Sequence, residues 1–379
     1  WLTVKDIRDN NILVFNGEFN FDLYIEGIKN IEITSLNKRA VINGSIMYNG
    51  PGFINIHDIN IKGTFKQDIS GINISYNGEL NNINIENVEV FGFLVAGITI
   101  QPATDINYIN NVKIKNIYTH HNAVGIIIGY GKPNKLLVNN LIFTNNECAF
   151  NGSGLPGPSQ DGVGANIVGI QTAEIAYNKF HNNGQTPAHG HSGLMVEYSS
   201  HIHVHHNDAY DNFDDTIDQD GQGLIINGCD KTIVEFNNVW NNRGGIQIMG
   251  EEDSSNDVVV RFNTCNNDIS NLTLNQNINN IQIYGNIFRA ETKDYKANVT
   301  IMAFTGSVTL IKNLFALYTT KDSIAVNVMV DKESVKPNNV YAFSDNVYII
   351  QGKDKPVFIV GEQYLIGLEG WRSIGQEVD

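Results

Sequence analysis

The chain has 379 residues, with 25 Lys and Arg against 40 Asp and Glu, which gives a formal net charge of −15 at pH 7. This acidic balance argues against the broad basic surfaces that bind nucleic acids and anionic membranes. The sequence contains no run of about 18 apolar residues, so it predicts no membrane-spanning helix. Because it starts at Trp1 rather than Met, we expect a processed chain in which a signal peptide would not be visible.

One short pattern recurs along most of the chain. Each copy is an alternating strand, then Asn, one variable residue and an apolar or aromatic residue. The copies are 23 to 38 residues apart, and their Asn residues are Asn87, Asn116, Asn140, Asn178, Asn207, Asn237, Asn263, Asn286, Asn313 and Asn346. We expect these Asn side chains to stack in one internal column at a corner of the fold, where Asn tolerates left-handed backbone angles.

A second strand, which opens with Gly, lies between the Asn positions. Its copies begin at Gly71, Gly97, Gly125, Gly193, Gly223 and Gly245. Two or three short strands per turn of roughly 25 residues are typical of a parallel β-helix. The sequence therefore predicts an all-β, single-domain solenoid of about 11–12 coils over residues 1–379, with residues 1–30 and 345–379 as caps.

Two insertions interrupt this regular repeat, at residues 150–162 and 184–192. Loops on adjacent coils project together, so we expect these two to wall a groove on the outside of residues 160–250. Aligning the coils on their strand glycines places a group of polar residues on one side of four consecutive coils: Asp161, His191, Glu197, Asp220, Gln222, Arg243 and Gln247.

A carboxylate pair is the first chemistry that this group of residues predicts. Glu197 and Asp220 lie on adjacent coils, and a coil spacing of about 4.8 Å suggests a separation within the ~5–10 Å span of glycosidase pairs. His191 completes the predicted catalytic set. The residues predicted to bind substrate are Arg243, Gln247, Asp161, Tyr198 and Gln222.

β-Elimination is the alternative mechanism. It needs a base at the α-carbon and a cation that neutralises a uronate carboxylate. His191 or Tyr198 would be the base, and Arg243 the cation. A bound Ca²⁺ would serve equally, since hard cations prefer clustered oxygen ligands, and its predicted ligands are Asp214, Asp215 and Asp218. The same three acids are also compatible with a solvated turn.

The chain resembles the right-handed parallel β-helix superfamily, which includes pectate lyases, other polysaccharide lyases and several glycoside hydrolases. The Asn repeat carries the resemblance over nearly all residues. The stretch from Asp218 to Leu224 and the Asn241-Asn242-Arg243 segment add a pattern similar to secreted bacterial members. The catalytic motifs of individual families are missing, among them the Asp-Pro-His-Glu of mannuronan epimerases and a pectate-lyase lysine between Lys231 and Lys293.

The resemblance implies a secreted or cell-surface protein whose partner is a polysaccharide or oligosaccharide rather than nucleic acid. Together with the acidic groove it favours glycosidic bond cleavage by the carboxylate pair, which requires no cofactor. The alternatives are a polysaccharide lyase that uses Ca²⁺ on a uronate polymer, and a non-catalytic adhesin that binds glycan or cellulose.

Overall fold

A computed structural model of the protein describes residues 7–38, 40–65, 68–129, 135–152, 162–184, 191–213, 220–290, 297–318, 324–329, 341–350, 357–360, 363–374 and 376. Of the described residues, 64% are in strands and 3% in helices, so the predicted all-β class is confirmed. No helix in the described residues is long and apolar enough to cross a membrane.

The strands form three faces of one solenoid, each with thirteen strands in the described part of the chain. Face 1 contains β1 (Ile12–Phe15), β4 (Ile31–Ser35), β7 (Gly52–His57), β10 (Leu80–Phe91), β12 (Ile109–His120), β14 (Val138–Thr144), β17 (Ala173–Ala176), β20 (Ile202–His205), β23 (Ile233–Glu235), β25 (Gly244–Arg261), β27 (Ser270–Tyr284), β30 (Val308–Ile311) and β33 (Tyr341–Ser344). Four of these strands are long enough to turn a corner. The ends of β10 and β12 also belong to face 2, and the starts of β25 and β27 also belong to face 3.

Faces 2 and 3 complete each turn. Face 2 adds β2 (Glu18–Phe19), β5 (Val41–Asn43), β8 (Asn60–Lys62), β15 (Glu147–Ala149), β18 (Lys179–His181), β21 (Asp208–Tyr210), β24 (Asn238–Trp240), β26 (Thr264–Asn266), β28 (Ile287–Ala290), β31 (Leu314–Leu317) and β34 (Val347–Ile350). Face 3 adds β3 (Leu23–Glu26), β6 (Ile46–Asn49), β9 (Ile72–Tyr76), β11 (Ala96–Pro102), β13 (Val124–Gly129), β16 (Val163–Val168), β19 (Ser192–Glu197), β22 (Gln222–Asn227), β29 (Ala297–Thr305), β32 (Ile324–Val328) and β35 (Val357–Val360).

Pairing between successive turns is parallel throughout the three faces. The thirteen strands per face in the described residues compare with the 11–12 coils expected. The first turn, β1 to β3, already lies within the segment predicted as an N-terminal cap. A short 3₁₀ helix, Leu36–Lys38, follows β4.

The other end of the solenoid is closed by different structure. Strand β36 (Gln363–Ile366) pairs antiparallel with β35, and helix α1 (Gly367–Arg372) follows it. The Trp371 ring is fully buried and stacks on Phe358 with ring centroids 4.6 Å apart. This ring covers the last turn of the apolar core, which would otherwise be open to water.

A buried Asn ladder lies at the corner between faces 1 and 2. Each side chain except the last donates Nδ2–H to Oδ1 of the Asn on the next turn, at 2.9–3.0 Å. The ladder contains Asn146, Asn178, Asn207, Asn237, Asn263, Asn286, Asn313 and Asn346. The same Oδ1 atoms also accept backbone N–H groups. This network satisfies polar groups that a buried corner would otherwise leave unpaired.

The earlier members of the predicted column lie outside the core, which corrects the sequence analysis. Asn87 and Asn116 are exposed and take the left-handed corner angles themselves, with φ of 55° and 53°. Asn140 is also exposed and belongs to a different outer ladder, with Asn111. From Asn146 onward the Asn comes one residue later, after the corner residue. A shift of one residue moves a side chain from inside to outside.

A second buried ladder, which the sequence analysis missed, lies at the corner between faces 2 and 3. It contains Asn122, Asn151, Asn183, Asn212, Asn242, Asn267, Asn271 and Asn298. It explains the glycines that open the face 3 strands. A Cβ on Gly193 would lie 2.9 Å from Asn212 Nδ2 and 2.6 Å from the Gly223 carbonyl oxygen, so only Gly fits beside the ladder.

We predict that Asn237→Leu lowers the free energy of unfolding by about 2–4 kcal/mol, because it leaves buried partners on both neighbouring turns unpaired. Those partners include the Val204 carbonyl and the Asn207 amide. The matched control is Asn238→Ala, an exposed neighbour that we expect to change stability by less than about 0.5 kcal/mol. Urea unfolding measures both variants, and equal midpoints would refute the structural role of the ladder.

Candidate functional site

The register of face 3 decides which predicted residues meet. Asn166, Met195, Ile225 and Gln247 align across four successive turns, and so do Val168, Glu197, Asn227 and Met249. Both sets are the residues two and four positions after the glycine in each strand, so the register agrees with an alignment on the strand glycines. Gln247 and Glu197 are partly exposed on the outer surface, as expected.

The predicted pair of Glu197 and Asp220 is wrong as a pair. Glu197 is aligned with Asn227, the last residue of β22, whereas Asp220 precedes Gln222, the first residue of that strand. The length of β22 therefore separates them, about 17 Å at a rise of roughly 3.3 Å per residue. Proximity of two turns brings residues together only when they occupy the same position along the strand.

His191 is fully buried rather than exposed in a groove. Its Nδ1 accepts the backbone N–H of Gly162 at 3.0 Å. Gly162 and Gly184 pack so closely on the ring that a Cβ at either position would come within 2.7 Å of it. His191 thus fixes the entry into β16 and does not present its ring at the surface as predicted.

Several predicted residues lie outside the described part of the chain. They are Asp161, Asp214, Asp215 and Asp218, together with most of the two predicted wall loops. The calcium site therefore stays a prediction. Within the described ranges, no group of three or more His, Cys, Asp or Glu side chains is arranged to hold a metal ion.

Two carboxylates do converge where the face 3 strands end. Asn227 Nδ2 lies 3.2 Å from Glu197 Oε1 and 3.4 Å from Glu251 Oε2. Both contacts share the atom Asn227 Nδ2, so the distance from Glu197 Oε1 to Glu251 Oε2 cannot exceed the sum of the two. A separation of this size is within the range of glycosidase carboxylate pairs. The backbone N–H of Glu251 donates to Asn227 Oδ1 at 3.2 Å, so the amide fixes the position of Glu251.

Glu251 is absent from the predicted set because it lies six residues after Gly245, beyond the regular part of the strand. Strand β25 continues beyond that point, and its register with β27 shifts between Gly250 and Ser255. The Glu251-Glu252-Asp253 run directly after the regular strand was the available signal. Such a run of acids is also typical of a solvated loop. Only the contact with Asn227, on the preceding coil of the solenoid, shows that Glu251 lies near Glu197.

Tyr198 lies beside this group of acids. Burial raises its pKa to about 12, and the charges of Glu197, Glu252, Glu251 and Asp253 add to the increase. A phenol with such a pKa retains its proton at neutral pH. Tyr198 therefore suits hydrogen-bond donation much better than proton abstraction.

A groove with a volume of about 560 Å³ runs along face 3 from β22 to β32. The two carboxylates in its lining come from opposite edges of the face, Asp220 from the start of β22 and Glu251 from the end of the β25 segment. Its described lining consists of Asp220, Gln222, Gly244, Gln247, Met249, Glu251, Ile269, Ser270, Thr273, Asn275, Gln276, Thr300, Met302, Asn327 and Met329. The groove thus includes Asp220, Gln222 and Gln247 of the predicted set, but extends farther toward the carboxyl end than expected.

Three solved structures share this fold over most of their length. The A-modules of the Azotobacter vinelandii mannuronan C-5 epimerases AlgE6 and AlgE4 have TM-scores of 0.55 and 0.54, at 15% and 16% identity. Both matches cover 90% of this chain, with 91% and 90% of the respective modules. A mutant of the periplasmic alginate epimerase AlgG has a TM-score of 0.54 at 12% identity, over 89% of this chain and 75% of that one.

No family model and no curated protein matches the sequence. The structural likeness establishes that the chain has the right-handed parallel β-helix fold, as its Asn repeat predicted.

We predict that a difference titration of the wild-type protein against Tyr198→Phe reports a phenol with a pKa of about 12. Glu251→Gln should lower this pKa, because it removes a nearby negative charge. Glu174→Gln, an acid on face 1, is the control and should not shift it. The measurement is phenolate absorbance with circular dichroism to monitor folding; a Tyr198 that titrates at the ordinary value of 10.0 contradicts the geometry.

Proposed function

We propose that the protein binds a polysaccharide in the face 3 groove and hydrolyses a glycosidic bond with Glu197 and Glu251. The observation that carries this proposal is the convergence of the two carboxylates on Asn227 beside a long polar groove. Glycoside hydrolysis needs one carboxylic acid to protonate the leaving oxygen and one carboxylate to act as a base or nucleophile.

The fold neighbours support a role with polysaccharides. By their names, AlgE4, AlgE6 and AlgG act on mannuronan or alginate. Sequence identities of 12–16% carry the fold and not the chemistry. A polymer substrate fits a groove that crosses several turns, and it implies a place of action at the cell surface or beyond, or in the periplasm that AlgG occupies.

Hydrolysis is favoured over β-elimination by the state of the two predicted bases. The raised pKa of Tyr198 makes phenolate scarce at neutral pH. His191 is buried, with Nδ1 engaged by the Gly162 backbone. Neither group is therefore suited to take a proton from a sugar carbon in the groove.

We predict that Glu197→Gln and Glu251→Gln each reduce turnover by roughly 10²–10⁴-fold, the contribution typical of a positioned acid or base. Both changes preserve side-chain shape, so folding and glycan retention should persist. The matched control is Glu174→Gln on face 1, which should keep full turnover. Reducing-end release from a panel of polysaccharides is the measurement, and undiminished turnover in both groove variants would eliminate the pair.

A second candidate function is binding without cleavage, and one feature favours it. Four aromatic rings stack along the corner between faces 1 and 2, with centroids 5.1–5.2 Å apart. They belong to Tyr177, His206, Phe236 and Phe262. Three of these side chains remain 44–54% exposed. Large aromatic side chains are mostly buried in folded proteins, so a contiguous exposed row of them is unusual.

We predict that the double change Tyr177→Ala and Phe236→Ala leaves retention of soluble glycans within about twofold of wild type, because the groove lies on a different face. Affinity electrophoresis in gels that contain each polysaccharide measures retention. Loss of all retention in this variant, with no turnover in the wild-type protein, would replace the hydrolase proposal by an adhesin.

A further inference from the structure

We infer that the groove takes a linear, uncharged glycan that lies parallel to the helix axis. The inference rests on the proposed function and deepens it by naming the substrate class. It concerns the part of the groove that β25, β27, β29 and β32 form, beyond the two carboxylates.

The lining residues repeat from turn to turn. Gln247, Thr273, Thr300 and Asn327 occupy equivalent positions on four successive strands. Successive turns are about 4.8 Å apart, which is close to the length of one hexose residue in an extended chain. A polymer parallel to the helix axis therefore meets a similar polar side chain at each sugar residue. A polymer that runs along a single strand instead would meet only one of these four side chains.

The chemistry of this lining suits hydroxyl groups. Amide and hydroxyl side chains both donate and accept hydrogen bonds, as sugar hydroxyls do. Gln276 also lines this part of the groove, and its Oε1 has no hydrogen-bond partner among the described residues. In a parallel row of the lining, Met249 and Met302 lie on either side of Asn275. These two side chains and Met329 supply polarisable apolar surface for the C–H faces of a sugar ring.

The charge of the groove selects against acidic polymers. Among the described lining residues, Asp220 and Glu251 are charged, and no Lys, Arg or His accompanies them. Glu197, Glu252 and Asp253 lie close enough to Tyr198 at the same edge to act on it electrostatically. A uronate polymer brings one carboxylate per residue, and in the described lining these would meet two carboxylates and no cationic side chain.

This preference separates the chain from the neighbours that share its fold. AlgE4, AlgE6 and AlgG are named for mannuronan or alginate, which are uronate polymers. The solenoid backbone is common to all of them, but the outward side chains of each turn vary freely because they do not pack in the core. A neutral substrate is thus compatible with the shared fold.

Direct binding to Glu197→Gln tests the inference. This variant blocks the proposed cleavage and keeps both lining carboxylates, Asp220 and Glu251. The probes are hexasaccharides of equal length, from neutral glucans, mannans, xylans and galactans and from alginate and polygalacturonate, measured by calorimetry at low and high salt. We expect at least one neutral probe to bind about tenfold or more tightly than either uronate, and salt to narrow the difference.

Matched variants locate the binding. Thr273→Val should weaken the neutral probe by roughly 3–10-fold, the equivalent of one net hydrogen bond. Gln282→Ala is the control, because it alters the same strand β27 on face 1 and should leave affinity unchanged. Thr300→Arg should raise affinity for the uronate probes, since it adds a cation to the described lining.

The outcomes separate this inference from the proposed hydrolysis. Tighter binding of uronates than of every neutral probe overturns the substrate class, even if wild-type protein cleaves them. Equal loss of affinity in Gln282→Ala and Thr273→Val overturns the location. Selective neutral binding without turnover by wild-type protein supports the substrate class and refutes cleavage.

Discussion

The paired amides of the buried Asn ladders are the interaction on which the rest of the structure depends. In each described ladder, an Asn oxygen accepts both a backbone N–H and a side-chain Nδ2–H from the neighbouring turn. Parallel strands alone tolerate sliding where side chains are alike. The ladders remove that freedom where both are present, because a slip of one residue would bury unpaired amides at two corners of each such turn. Register along the axis is thereby fixed independently of the apolar core.

Fixed register turns the outer surface into a set of straight columns, and this determines the site. Glu197 and Asn227 share one column, and Glu251 reaches the same amide from the following turn. The groove beyond them repeats its contacts for the same reason. The corner ladder between faces 2 and 3 also requires Gly at the start of the strands, as at Gly193. The strands of face 3 therefore begin at equivalent positions in each turn, and their outward side chains align from turn to turn.

The sequence contained most of the fold but only part of the site. Apolar alternation and the Asn repeat predicted the parallel β-helix, because both report burial within a single turn. The placement of Asn87 inside the core was wrong, since corner Asn residues occupy two adjacent positions that differ in direction. The predicted pairing of Asp220 with Glu197 was wrong because the two residues lie at opposite ends of their strands. Glu251 lies after a register shift, which no periodic pattern predicts, and the burial of His191 depends on close backbone packing by Gly162 and Gly184.

The crystal structure of Glu197→Gln in complex with the tightest-binding neutral oligosaccharide is the most direct test of this account. We expect the sugar chain to lie along face 3, with successive residues over Gln247, Thr273 and Thr300, and with one glycosidic oxygen beside Glu251. An oligosaccharide bound at the aromatic corner of Tyr177 and Phe236, with an empty groove on face 3, would contradict it.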